Sequence, residues 1–463
     1  MSDNAGRPAY LDLAGLRASG SSLIPVFIPV SPDRPLQPIP LTRSQALTVF
    51  DPNLVTPYVQ NLTLSVTRSV AANVTLDVRY IGTLARKQFY GSLFNLNTPN
   101  FRSNGLKDAF DIVRAGGESD LLNNIFRGQT VGGQTFDGTN AGARMRTSTT
   151  FANNLANGNY VGLANSLNTL STSACSANSS VVGQAGSVLR CNGFPENFVV
   201  TNPQFSNITY NSNLGSNNYH SMQAQISVRP YHGVGFQATY TWSKNLGIQN
   251  CCSGPANGGQ SGNFVGLTDP LNRRLDYTLT GDDRTHILQT NGSFDLPIGP
   301  GKQFFKNSSG LFARVTEGWK LGWIFNLVSG PALDIQAANM LYSNGVPDIV
   351  GPFPFDEAGV RWGQDAGTYT GGNYFPADAF QIAKDPQCLN PSIVAASLTA
   401  NCNLAAVYDA KTGQALLVNP LPGKAGTLGR RAVRGVTVPT FDMNLAKLSR
   451  DSESKSIQFR TDA

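Results

Sequence analysis

Charged side chains and long apolar runs are both scarce in this 463-residue sequence. Asp, Glu, Lys and Arg make up 14% of the chain, well below the roughly 25% that is typical of soluble domains. The longest apolar candidate, SSLIPVFIPV at residues 21–30, is interrupted by proline and falls far short of the roughly 18 residues that a membrane-spanning helix needs. These shortages exclude a helical membrane protein and argue against a charged cytosolic surface.

Residues that carry catalysis or bind metal are also few. The three histidines are His220, His232 and His286, and they accompany no nucleophile motif, no His/Glu pair at helical spacing and no C-x-x-C motif. We therefore expect no enzyme, no cofactor and no metal site, and structural roles for the histidines at strand ends or turns. Asp282 and Asp283 follow Gly281 and could bind a cation, but solvated loop charge is the favoured interpretation.

Basic residues are present but dispersed. The net charge of +6 and the pI near 9.0 would permit a nucleic-acid partner, yet Lys and Arg form no dense run. We therefore predict no binding of nucleic acid.

Six cysteines fall in apparent loops. Cys175 with Cys191, and Cys388 with Cys402, each enclose a short segment, which favours two local disulfides and an oxidising compartment. Free thiols that happen to lie near each other are the alternative. The adjacent Cys251 and Cys252 are a weaker case, because neighbouring cysteines form only a strained ring.

What the chain has in quantity is neutral polar residues and segments with a period of two. Between residues 234 and 243, apolar and small or polar side chains alternate, so that one strand face is apolar and the other is polar. About eight such segments occur, a pattern that suits either a soluble sandwich or a membrane barrel. They are residues 58–68, 73–82, 219–229, 234–244, 284–296, 319–329, 440–448 and 455–461.

Short and long connections alternate between these segments. Residues 1–57 are predicted to be an irregular proline-rich loop, and residues 58–463 one domain with long loops at about 83–218, 245–282 and 330–438. Inside the first loop, 106–113 and 120–126 have helical spacing, and the loop is either an inserted domain or an elaborate surface loop. In outer-membrane barrels the periplasmic turns are short and the external loops long. We therefore predict an all-β fold, an antiparallel transmembrane β-barrel segment of about eight strands with long external loops.

Five stretches, in order, resemble the carboxy-terminal half of the Oar-like TonB-dependent receptors. They are FDPNLVTPYVQNLTLSVTRSVAANVTLDVRYIGT, NYHSMQAQISVRPYHGVGFQATYTWSKNL, DRTHILQTNGSFDLPIGPGKQFF, GWKLGWIFNLVSGPAL and SKSIQFRTDA. The resemblance implies a barrel of about 22 strands, a plug domain and a TonB system as partners. Because no plug or secretory signal is visible, we expect this chain to be a fragment of such a receptor.

Barrel geometry assigns candidate positions to individual side chains. The predicted lumen-facing residues, which could meet a plug or a solute, are Asp77, Arg79, Gln223, Gln225 and Arg229. Aromatic residues predicted to contact lipid at the membrane interface are Tyr80, Tyr240, Trp242, Phe294, Trp319 and Trp323. Ordinary hydration of a lumen, or a sandwich core, would explain the same two patterns.

The sequence thus leads to three hypotheses. The first is a fragment of a non-enzymatic outer-membrane receptor or transporter, with membrane lipid around the wall and loops that capture an unknown external solute. The second is an outer-membrane adhesion or structural surface protein without transport. The third is a soluble all-β binding module.

Overall fold

The computed structural model describes residues 42–90, 95–248, 267–338, 340–343, 345–359, 361–362, 372–376, 378–452 and 455–462. Cys251, Cys252 and most of the proline-rich segment at residues 1–57 lie outside these ranges. None of the helices in these ranges combines the length and apolarity needed to cross a membrane.

Ten strands form the largest sheet, which we call the wall sheet. They are β1 (Gln45–Phe50), β2 (Tyr58–Ala71), β3 (Val74–Tyr90), β4 (Phe205–Tyr231), β5 (Val234–Ile248), β6 (Thr278–Leu279), β7 (His286–Asp295), β8 (Trp319–Val328), β9 (Val438–Ser452) and β10 (Lys455–Asp462). The eight predicted strands are all present. The predicted antiparallel β architecture is therefore confirmed for these eight strands.

The eight long strands lie side by side in the order β2-β3-β4-β5-β7-β8-β9-β10. Every neighbouring pair is antiparallel, and the short β6 pairs with β5. Within the described residues, β2 and β10 each have a strand partner on one side only, so the sheet is open. The β2–β3, β4–β5, β7–β8 and β9–β10 connections lie at one edge, the turn end, and the three long loops lie at the opposite edge, the loop end.

The strand register aligns polar with polar and apolar with apolar side chains across the wall. This alignment follows from the period of two, because a shift by one residue would bring every apolar side chain to the polar face. One cross-strand row is entirely polar: Thr67, Asp77, Gln225, Thr239, Gln289, Asn326 and Thr440. The adjacent row is apolar apart from one phenol: Val66, Val78, Ala224, Tyr240, Leu288, Leu327 and Pro439.

Strand β1 corrects the prediction that residues 1–57 are an irregular loop. It pairs in parallel with the first part of β4, from Gln45 opposite Phe205 to Phe50 opposite Asn211. Prolines flank this segment, but QALTVF contains none, so its backbone N–H groups can join a strand ladder. Because the surrounding sequence is rich in proline, the short strand was not predicted.

The wall strands also extend further toward the loop end than their sequence pattern predicts. Strand β3 continues to Tyr90 and β4 begins at Phe205, and they still pair near their ends, with Gln88 opposite Gly215. Both ends of the predicted 83–218 loop, residues 83–90 and 205–218, are therefore strand. Apolar and polar residues no longer alternate regularly in these extensions, which removed the signal used to find the rest of the wall.

Within the described ranges, helices are confined to the connections. The predicted helices at 106–113 and 120–126 are confirmed as the first two of the set. The helices are α1 (Leu106–Arg114), α2 (Asp120–Phe126), α3 (Ala141–Thr147), α4 (Ala152–Ala156), α5 (Tyr160–Thr169), α6 (Ser187–Cys191), α7 (Gly310–Thr316) and α8 (Pro386–Leu389). The described residues also form four short 3-10 helices, which are Ser179–Val181, Arg273–Asp276, Phe355–Glu357 and Ala396–Leu398.

Short strands complete the long loops. In the first loop, one sheet consists of Gln129–Val131, Gln134–Phe136 and Ala174–Cys175. In the third loop, a four-stranded sheet has the order Asp348–Ile349, Ala415–Val418, Ala405–Asp409 and Phe380–Lys384. Two further pairs are Ala332–Leu333 with Val433–Arg434, and Arg361–Trp362 with Gly372–Asn373.

The main hydrophobic core lies in the loops and not in the wall. It joins buried residues of the first loop, such as Phe110, Phe126 and Leu163, with residues of the third loop, such as Met340 and Leu398. We call the described residues of 95–204 and 332–434 the loop cap. Of the two alternatives for the first loop, the structure favours a folded insertion, although part of its core comes from a second segment of the chain.

Candidate functional site

Four of the five predicted lumen residues lie together on the polar face of the wall. Asp77 is opposite Gln225 and Arg79 is opposite Gln223 on the neighbouring strand. Arg79 Nε donates to Asp77 Oδ1 at 2.8 Å, and Thr67 donates to Oδ2 at 2.5 Å. This face presents a fixed carboxylate and a guanidinium next to uncharged amides, an arrangement that can accept hydrogen bonds from, or donate them to, whatever fills the lumen.

Arg229 lies apart from these four, at the turn end of β4. It borders a shallow depression of about 490 Å³ on the polar face. Ser227, Gln237, Asn291 and Asn444 contribute polar groups to the same depression. The polar face therefore has hydrogen-bonding capacity from its middle to its turn end.

The predicted interface aromatics lie on the apolar face in two bands. Toward the loop end, Tyr80, Tyr240 and Trp242 are 37%, 42% and 58% exposed. Toward the turn end are Phe294, Trp319 and Trp323. Trp242 is opposite His286, and Phe294 follows eight residues later on the same strand, which is about 26 Å at 3.3 Å per residue. On a strand tilted by about 40° this length spans about 20 Å of membrane depth, which fits within the apolar band of about 25 Å that an outer-membrane barrel presents to lipid.

Two histidines form equivalent pairs with tyrosines on this face. Tyr80 Oη lies 2.6 Å from His220 Nδ1, and Tyr240 Oη lies 2.7 Å from His286 Nδ1. His232 lies in the β4–β5 turn with a positive φ of 52°. His286 at the start of β7 and His232 in a turn agree with the predicted positions, whereas His220 lies in the middle of β4.

A buried arginine ties together the two loops of the cap. Arg114 on α1 is 1% exposed, and its Nη2 donates to Ala156 O at 2.8 Å and to Gln387 Oε1 at 2.9 Å. Ala395 N donates to the carbonyl oxygen of Arg114 at 2.8 Å. Because burial lowers the pKa of Arg114, these acceptors are needed to keep the charge inside the cap.

A second polar network joins the second loop to the third. Arg430 forms ion pairs with Asp276 at 3.1 Å and Asp334 at 3.2 Å, and the Arg430 and Asp276 side chains are only 6% and 4% exposed. Burial raises the pKa of Asp276, while hydrogen bonds from Thr268 and the charge of Arg430 act against this shift. Burial also lowers the pKa of Arg431 to about 10, so this side chain is still charged at neutral pH.

The favoured interpretation of Asp283 as solvated loop charge is wrong. Its side chain is fully buried and pairs with Arg434 at 2.5 Å, and its Oδ1 accepts from Asn245 N at 2.6 Å. The partner is 151 residues away in the sequence, so no local pattern could have revealed it. Asp282, its neighbour, is exposed.

Both local cysteine pairs are joined in the structure. Cys175 is bonded to Cys191 with Cα atoms 5.8 Å apart, and Cys388 to Cys402 with Cα atoms 5.7 Å apart. Cys388 and Cys402 belong to the main core of the cap, and Cys175 and Cys191 to a smaller cluster with Val181. The disulfides therefore close short loops inside the cap.

Metal ligands do not converge in the described part of the chain. No group of three or more His, Cys, Asp or Glu side chains there could hold an ion. The chemical capacity of the described residues lies instead in a polar face, an apolar face and a folded cap of surface loops.

Comparison with known proteins agrees with this architecture. Residues 13–463 match the family described as outer membrane beta barrel domain, and no curated protein matches the sequence. A similar solved structure is the outer membrane transporter YddB from Escherichia coli, with 10% identity and a TM-score of 0.32; the match covers 91% of this chain and 30% of that chain. The chain thus spans about a third of that protein's length. On the family match, which covers almost the whole sequence, this chain belongs to the outer membrane β-barrel domain family and is a protein of the outer membrane.

Proposed function

We propose that this chain is part of an outer-membrane receptor of the Oar-like, TonB-dependent type. Its wall sheet forms part of a transmembrane barrel, and its loop cap captures an external solute. The turn end then faces the periplasm and the loop end faces the outside, as in other outer-membrane barrels. The outer-membrane location leaves no place for the soluble-module hypothesis.

The observation that carries this proposal is the loop cap itself. A passive wall needs only short connections, whereas here the loops hold the main hydrophobic core and two disulfides. Ion pairs also fix the second loop to the cap, including the partly buried pair of Arg102 with Asp269 at 2.6 Å. Rigid surface loops reduce the entropy that is lost when a ligand binds, so a folded cap supports a role in recognition.

The open sheet supports a larger barrel. Edge strands β2 and β10 would expose unpaired backbone N–H and C=O groups to hydrocarbon, which is costly for every group left without a partner. We propose that further strands, to a total of about 22 as in the large outer-membrane transporters, complete the wall of the working receptor. The polar face with Asp77, Arg79 and Gln225 would then line the lumen and meet a plug domain.

We also propose that the chain acts without catalysis and without a cofactor. For the complete receptor we propose binding of an external solute, followed by uptake that is driven through the TonB system. An adhesion protein would use the same cap to hold a surface ligand with no uptake.

Uptake by whole cells distinguishes these functions. Cells with and without the full-length protein would be incubated with a mixture of fluorescent peptides and oligosaccharides, in the presence or absence of a protonophore. Accumulation that needs both the protein and an energised membrane is the expected result. Surface binding that ignores the protonophore would indicate adhesion, and equal signals with and without the protein would refute both functions.

A further inference from the structure

The connection between β7 and β8 exposes an unusual amount of apolar surface. Residues 297–318, which we call the rim segment, lie at the turn end of the wall. Five large apolar side chains of this segment are more than half exposed: Phe304 54%, Phe305 55%, Leu311 86%, Phe312 54% and Val315 60%. Exposed apolar patches that are contiguous mark a surface that normally contacts something other than water.

The rim segment is folded. Phe304 N donates to Pro297 O at 2.9 Å and Gly299 N to Phe304 O at 2.9 Å, which closes a tight loop. Helix α7 follows, and the rings of Phe305 and Phe312 meet edge to face with their centroids 5.5 Å apart. The apolar side chains are therefore displayed by a defined structure.

Two contacts fix this segment to the apolar side of the wall. Trp319 Nε1 donates to Val315 O at 2.7 Å. Lys447 Nζ donates to the carbonyl oxygens of Arg314 at 2.6 Å and Val315 at 2.8 Å, and it lies 5.1 Å from the centroid of the Trp319 ring. Trp319 and Lys447 are cross-strand partners, and Trp319 belongs to the apolar face, which in this family faces lipid. Helix α7 thus lies on the lipid side of the wall and not over the lumen.

The charge of the rim segment agrees with a phospholipid surface. Lys302, Lys306 and Arg314 are exposed, against a single acidic residue, Glu317, which pairs with Arg314 at 3.3 Å. Segments that lie in a membrane interface combine an exposed apolar face with basic residues in this way. The patch is also continuous with the turn-end aromatic band at Trp319.

From these contacts we propose that the rim segment is an interfacial anchor. It inserts Phe304, Phe305, Leu311, Phe312 and Val315 into the phospholipid leaflet next to β7 and β8, with its basic side chains at the headgroups. The lipid contact follows from the outer-membrane location of the wall. Only the assignment to the periplasmic leaflet rests on the proposed function.

Site-specific fluorescence tests the anchor. The full chain, with Cys251→Ser and Cys252→Ser, would carry Leu311→Cys labelled with an environment-sensitive fluorophore and be reconstituted in phosphatidylethanolamine and phosphatidylglycerol vesicles. Leu271→Cys is the matched control, because Leu271 is 81% exposed in the second loop at the loop end. Heat-modifiable migration on gels would show that each variant still forms its wall.

The expected result is quenching of the Leu311→Cys probe by brominated lipids and several-fold less quenching by aqueous iodide than for Leu271→Cys. Equal iodide quenching at both sites would overturn the proposal. Cross-linking of the Leu311→Cys probe to a second copy, without lipid quenching, would also overturn it, because the patch would then be a dimer contact. Labelling of Leu311→Cys from outside intact cells would refute the proposed sidedness and leave insertion into lipid intact.

Discussion

Replacing Phe110 with alanine tests whether the loop cap is stabilised by its own core. Phe110 is fully buried and packs against the Tyr160 ring, with the centroids 5.2 Å apart. Truncation of a buried phenylalanine to alanine costs about 3–5 kcal/mol. The change should therefore raise the population of the opened cap by roughly one hundred- to four thousand-fold, because about 1.4 kcal/mol corresponds to a factor of ten.

Limited proteolysis of the full chain in detergent measures this change. When opening and closing are fast relative to cleavage, the cleavage rate follows the population of the open form, so cuts within residues 95–204 should accelerate by the same factor. The matched control is Ile112→Ala on the same helix, where the side chain is 46% exposed and the effect should be small. Heat-modifiable migration of the wall should not change in either variant.

Two results would refute this reasoning. If Phe110→Ala were cleaved no faster than Ile112→Ala, the core would not be what closes the cap. If Phe110→Ala abolished heat-modifiable migration, the wall and the cap would unfold as one unit, and the cap would not be stabilised separately by its own core.

Three further predictions concern the junction of the loops and the wall. Asp283→Ala should destabilise the junction by about 1–3 kcal/mol, because the guanidinium of Arg434 and the N–H of Asn245 lose their acceptor. Proteolytic cleavage near residues 267–285 should increase. An equal effect of Asp282→Ala would contradict the prediction. Burial raises the pKa of Asp276 above 3.8, so its contribution to stability is present at acid pH and is lost as the pH rises through the raised pKa. The stability difference between wild type and Asp276→Asn, measured by denaturant titration, should therefore fall with rising pH. A difference that grows with pH would contradict this prediction. Gly292→Val should destabilise the wall by about 1–3 kcal/mol, because a Cβ would lie 2.5 Å from Trp323 and 2.6 Å from Phe236. The yield of heat-modifiable protein should fall. Thr290→Val, on the same face of β7, should fold normally.

The wall could be predicted from the sequence because its signal is local. Each strand carries its own alternation of apolar and polar residues, and the short turns, such as the one at His232 and Gly233, fix the pairing of neighbours. These two facts place Thr67 opposite Asp77 and Gln225 opposite Thr239, whereas the pairing of Asp77 with Gln225 across the first long loop also requires polar faces to match.

The cap could not be predicted in the same way, because its stabilising contacts are distant in sequence. Gln387 is 273 residues from Arg114, and no pattern near either residue indicates the other. The short helices α3, α4 and α6 have five to seven residues each, too few to show a clear helical period. Helix α7 of the rim segment has only seven residues and was not predicted for the same reason, although Leu311, Phe312 and Val315 have helical spacing.

The composition of the cap core constrains the order in which the protein can assemble. Buried residues such as Phe110 and Leu398 come from segments on either side of strands β4 to β8. The core therefore cannot close until these two segments have come together. The disulfides have sequence separations of only 16 and 14, and they can form earlier. Contacts between distant segments form slowly, because the intervening chain must first be ordered. The cap core is therefore completed late, after the disulfides and after strands β4 to β8 have brought the first and third loops together.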